Sequence, residues 1–115
     1  MKKGNSFPKD RMKKALKIIR QSSGVKFEVV RDVYHLDPSH IESGASFPTM
    51  ETYMKYCCAF DHCPGWILLL SCQVDHGQIT EAEFFEMISN WETYQHLAEF
   101  KVEEFVRMAR KEIAG

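Results

Sequence analysis

Apolar residues return at helical spacing along nearly the whole chain, and no two segments read as strands that could pair. Met12, Ala15, Leu16 and Ile19 follow the i, i+3, i+4, i+7 pattern of a buried helical stripe. Met50, Tyr53, Met54 and Cys57 form a second stripe that Phe60 extends, and Phe84, Met87, Ile88 and Trp91 form a third. Phe27 to Tyr34 is rich in β-branched residues, but Val29, Val30 and Val33 also fit a helix face. A strand with no partner is unstable, so this segment is read as helix. The expected fold class is all-α. At 115 residues and 44% apolar content the chain can build one modest core, which excludes both a large multidomain enzyme and a wholly disordered chain.

Helix boundaries follow from the residues between the stripes. Pro8 stands where a first-turn proline is tolerated, and Gly24 closes the first helix. Asp37-Pro38-Ser39 reads as an acidic N-cap followed by a proline at the first helical position, and this short helix ends at Gly44. Thr49 is a good N-cap for the next helix, with Glu51 in its first turn. Pro64-Gly65 separates that helix from an apolar one at Trp66–Cys72, and residues 75–78 form a turn. Thr80 with Glu83 makes a capping box; Ser89 with Glu92 offers a second, so the last helix is expected at about 91–113.

Charge is segregated along the chain. Residues 1–26 hold nine Lys/Arg against Asp10 and sum to +8, while residues 27–115 sum to −9, so the net charge of −1 hides a strongly polar molecule. A basic arm of this kind suits nucleic acid or an anionic surface, although a lysine-rich helix is more often merely solvated. The charged start is followed by no apolar run typical of a signal peptide, and Trp66 to Leu70 is far too short to span a bilayer. No membrane partner is expected. The four cysteines read as reduced core thiols of a cytoplasmic protein.

Three chemical motifs yield to simpler readings. Residues 75–84 look like the end of a calcium loop, but Cys72, Val74 and His76 would fill the first three ligand positions, and calcium needs hard oxygen donors. Cys58-x3-His62 and Cys72-x3-His76 supply zinc-type donors at a spacing unlike a zinc finger. His62 and Cys63 are neighbours without a nucleophile turn or an orienting acid. No catalytic residue, metal or other cofactor is therefore expected, and the chain is not read as an enzyme.

A further pattern lies in residues 12–70. Leu16-Lys17-Ile18-Ile19-Arg20 precedes Gly24; Ile41-Glu42-Ser43-Gly44 leads to Phe47-Pro48-Thr49-Met50-Glu51-Thr52-Tyr53; Lys55-Tyr56-Cys57-Cys58-Ala59-Phe60 is followed by Trp66-Ile67-Leu68. In order and spacing this resembles the Xre/Cro phage-repressor-type helix-turn-helix family. The resemblance implies a five-helix helix-turn-helix domain followed by one or two C-terminal amphipathic helices, and sequence-specific binding of double-stranded DNA by a transcriptional regulator. It divides the chain into a basic arm at 1–10, a helix-turn-helix domain at 11–74 and a C-terminal helical extension at 75–115. Compared with the family pattern, the stretch from Gly24 to Ile41 is about three residues short, close to one helical turn. Lys26-Phe27 also stands where the family has Ser/Thr-Gln.

The third helix of that resemblance should read bases, yet no Lys or Arg occurs from His35 to Phe47. Arginine is the commonest reader of guanine edges and phosphate neutralisation supplies much of the affinity, so the charge must come from elsewhere. The expected DNA contacts are Lys2, Lys3 and Lys9 of the arm, Lys26 and Arg31 of the second helix, and Ser39, His40, Ser43 and Ser46 in and after the third. Glu42 is expected to be structural. The extension is expected to form a homodimer through Phe84, Ile88, Trp91, Leu97 and Phe105, as reading of two half-sites requires. The alternative is a helix-turn-helix scaffold that has lost DNA reading and binds a protein, as an antitoxin-like or adaptor module.

Overall fold

The computed structural model describes residues 7–115, and within them the fold is all-helical, with seven helices and no strand. These are α1 (Lys9–Ser23), α2 (Phe27–Val33), α3 (Pro38–Ser43), α4 (Met50–Ala59), α5 (Pro64–Asp75), α6 (Glu81–Ser89) and α7 (Trp91–Ala114). No helix among the described residues is long and apolar enough to cross a membrane.

The punctuation residues act through identifiable bonds. Asp37 accepts the His40 N–H at 3.3 Å and Thr49 accepts that of Thr52 at 3.2 Å, each satisfying a donor left over at a helix start. Thr80 and Glu83 close the reciprocal capping box at 3.0 and 2.8 Å. The second box does not form: α7 starts from Asn90, with no side-chain cap, because α6 runs on through Ser89. Gly24 ends α1 in the left-handed conformation at φ 75°. Asp61 takes that conformation after α4, where the His62 N–H returns to the Cys57 carbonyl at 2.9 Å and closes the end.

The core is organised around α1. Met12, Ala15, Leu16 and Ile19 are buried as their spacing predicts, and they meet Val30, Leu36, Ile41, Tyr53, Tyr56, Cys57, Ile67, Phe84 and Ile88. Helix α6 lies against α1, so the core extends past the expected boundary at residue 74. Phe84 and Ile88 are completely or almost completely enclosed by their own chain. This corrects their assignment to a dimer surface: burial against α1 leaves them no area to offer a partner.

Two other helices present a different face from the one their spacing suggests. In α4 the buried side is Tyr53, Tyr56 and Cys57, while Met50 and Met54 are exposed. The tyrosine hydroxyls find buried acceptors, Tyr53 on the Pro64 carbonyl at 2.6 Å and Tyr56 on Glu42. In α2 only Val30 is enclosed, and Val29 and Val33 face outward. Of the four thiols, Cys57 alone is buried; Cys58, Cys63 and Cys72 are exposed and none is paired.

Candidate nucleic-acid interface

Two arginines of α1 hold this region of the molecule together. Arg20 grips Glu42 at the end of α3 with two bonds, Nε to Oε2 at 2.7 Å and Nη2 to Oε1 at 3.0 Å. Both side chains are largely enclosed, and the Tyr56 hydroxyl donates to the same Glu42 oxygen. The bond to Glu42 raises the Arg20 pKa above its ordinary value, and burial, then Glu42, raises that of Tyr56. Arg20 also lies over the Phe27 ring, 4.2 Å from its centre, which ties the start of α2 to the same cluster. Glu42 is thus a structural anchor that fixes α3 against α1 and α4.

Arg11 performs the matching task at the other end of α1. It meets Asp75 at 3.0 Å, Glu81 at 3.1 Å, and the Ser71 hydroxyl and carbonyl at 2.9 and 3.1 Å. Arg11 and Arg20 are therefore engaged by acids of the later chain; of the α1 lysines, Lys9, Lys14 and Lys17 are exposed and Lys13 is largely buried, at 9% exposure.

Those lysines line a groove. One side of α1 contributes Lys9, Lys13, Lys14 and Lys17, and the end of α3 contributes Ser43 with Gly44 and Ala45; the open volume is about 690 Å³. Asp10 and Glu42 also border it, Glu42 already held by Arg20 and Tyr56. Gly44 closes α3 where a Cβ would stand 2.5 Å from the His40 carbonyl oxygen. Lys9 donates to the Ala45 carbonyl at 2.9 Å, and the Phe7 ring lies 5.0 Å from Phe47. Together these contacts bring the point where the basic arm joins the domain beside the loop that follows α3.

The expected contact residues divide into three groups. Ser39, His40, Ser43 and Ser46 are exposed in α3 and just after it, with Pro38 and Ile41 buried on the opposite face. Ser43 already donates to the Ser39 carbonyl at 2.5 Å. Lys26 and Arg31 are exposed near the two ends of α2, Arg31 lying 3.5 Å from Asp32. Lys9 borders the groove, while Lys2 and Lys3 lie outside the described residues. Lys13, Lys14 and Lys17 were not among the expected contacts. The i, i+4 spacing of Lys9, Lys13 and Lys17 is their sequence signal, but only the approach of α3 turns that stripe into a groove wall.

A second cleft lies on another side of the molecule. His62 is buried, stacks on Trp91 at 4.4 Å between ring centres, and has neither ring nitrogen hydrogen-bonded. Burial lowers its pKa to about 4. Cys58, Cys63, Trp66 and Glu99 border the same cleft. No three potential metal-ligating side chains come together among the described residues.

Trp91, Leu97 and Phe105 are all in α7, of which no residue is buried. Trp91 is half-buried against His62; Leu97 and Phe105 are exposed. Comparison of the chain with protein-family models, curated proteins and solved structures finds no match.

Proposed function

We propose that the chain is a sequence-specific DNA-binding transcriptional regulator of the Xre/Cro-like helix-turn-helix type. The observation that carries this reading is the lysine-lined groove that meets the C-terminal end of α3 at Glu42 and Ser43. α3 has hydrogen-bonding side chains in Ser39, His40 and Ser43 but no Lys or Arg, and the groove brings the exposed Lys9, Lys14 and Lys17 to its C-terminal end. Phosphate contacts position a protein on a duplex, whereas hydrogen bonds to base edges carry the sequence information. In this reading the lysines of α1 and the arm hold the backbone, and α3 reads bases with neutral donors and acceptors. The Arg20–Glu42–Tyr56 cluster supports it by giving α3 a fixed orientation, which base readout requires.

Selection of bound duplexes from a randomised pool tests the proposal. A regulator enriches one motif, protects it in a footprint, and loses the preference when Ser39 and His40 are replaced by alanine. Recovery of unenriched sequence contradicts sequence-specific reading. A second reading, a protein-interaction module on the same scaffold, is favoured by the apolar side chains that α2 leaves exposed, Phe27, Val29 and Val33, with Tyr34 beyond them. Absence of any DNA complex at low salt, together with saturable binding of a protein through this α2 surface, selects it.

A further inference from the structure

Helix α7 is 24 residues long, about 36 Å at 1.5 Å per residue, and buries none of them. Its start is held by Trp91 against His62, and α6 packs beside it. Further along, Leu97, Phe105, Met108 and Ile113 are 52%, 70%, 56% and 84% exposed, with Val102 and Val106 also open. At 100° per residue these six fall on one half of the helix, which also carries Lys101 and Glu112, while Phe100, 58% exposed, lies about 60° beyond Leu97. Helices of this length gain most of their stability from packing such a face. The stripe therefore lacks its counterpart in the single chain.

Charge identifies the counterpart. Residues 91–104 carry Glu92, Glu99, Glu103 and Glu104 against Lys101, whereas residues 105–115 carry Arg107, Arg110 and Lys111 against Glu112. The first part of α7 is acidic and the last part basic. Glu92, Glu99 and Arg110 follow one edge of this face, Glu104 and Lys111 lie at the other between Leu97 and Phe100, and Lys101 and Glu112 stand within it. We infer that α7 pairs antiparallel with α7 of a second copy of this chain. That arrangement lays each acidic part along the other copy's basic part on both edges, and a two-fold axis closes the assembly. Parallel pairing sets like charges side by side. This inference does not rest on the DNA reading.

Sedimentation equilibrium of the full chain under reducing conditions tests it, with two charge variants. Wild type is a dimer at micromolar concentration, and its dissociation constant rises between 50 and 500 mM NaCl because the paired charges are screened. E99K/E104K and R110E/K111E each weaken self-association by roughly tenfold or more, as several exposed pairs turn repulsive. Mixed together, the two variants restore a 1:1 dimer, which also shows that both are folded. A wild type that stays monomeric at hundreds of micromolar, a dimer that tightens with salt, or variants that keep their helicity yet fail to complement each other overturns the inference.

Discussion

Replacing Arg20 by methionine removes the guanidinium and keeps much of the side chain's volume. Glu42 then remains enclosed with Tyr56 as its one side-chain partner, its two charge-assisted bonds at 2.7 and 3.0 Å gone. The Arg20 and Glu42 side chains are 13% and 7% exposed, so water compensates little. Breaking a buried pair by removing one partner costs about 3–5 kcal/mol. Loss of the contact with the Phe27 ring adds about 0.5–1 kcal/mol. Against a typical domain stability of about 5–15 kcal/mol, this is a large fraction of the total. Urea unfolding, followed by circular dichroism and by Trp66 and Trp91 fluorescence, reads the effect. With a slope of about 2 kcal/mol per molar, the combined loss of about 3.5–6 kcal/mol lowers the midpoint by roughly 1.8–3 M. The double variant R20M/E42L loses less than R20M alone, because no unpaired charge stays buried. A loss below about 1 kcal/mol for R20M, the range of an exposed surface pair, refutes the argument that this cluster anchors α3.

Acid stability tests His62. Its folded pKa of about 4 lies below the ordinary 6.5, so folding favours the neutral imidazole; that contribution is complete above pH 6.5 and is lost as pH falls towards 4. The difference is about 3 kcal/mol, and H62F, which keeps a ring against Trp91, loses that part of the acid dependence; an unchanged pH profile contradicts the assignment. Deleting residues 1–10 removes Lys2, Lys3 and Lys9 and flattens the salt dependence of DNA binding, whereas an unchanged slope excludes the arm from the interface. T80A, which opens the capping box of α6, lowers stability by about 1 kcal/mol in the same urea assay; no change shows that the cap is redundant.

The helix starts were legible because their signals are local. Asp37, Thr49 and Thr80 act on donors three residues away, so a short window of sequence contains both partners. Which face of a helix is buried depends on what arrives from elsewhere. Spacing alone favoured Met50 and Met54 over Tyr56, but Tyr56 has a buried acceptor in Glu42, 14 residues away. The place of α6 was illegible for the same reason: its stripe of Phe84 and Ile88 suits a core or a partner equally, and contact with α1 decides. Charge arithmetic along the chain located a basic region without distinguishing Arg11 and Arg20, which are held by distant acids, from the lysines that remain at the groove.

Titration of a labelled mixed-sequence duplex with the full chain, at 50 and at 200 mM salt, tests the DNA reading most directly. The three exposed groove lysines, Lys9, Lys14 and Lys17, contribute about −2.7 to the slope of log affinity against log salt, hence a loss of roughly 40-fold between the two conditions. K14Q/K17Q, both at exposed positions, reduces that slope by about 2 and lowers stability in the urea assay by no more than about 1 kcal/mol, the worth of the Lys14 contact with the Phe85 ring. Failure of wild type to bind at 50 mM, or binding by the lysine variant with an unchanged salt slope, contradicts the account.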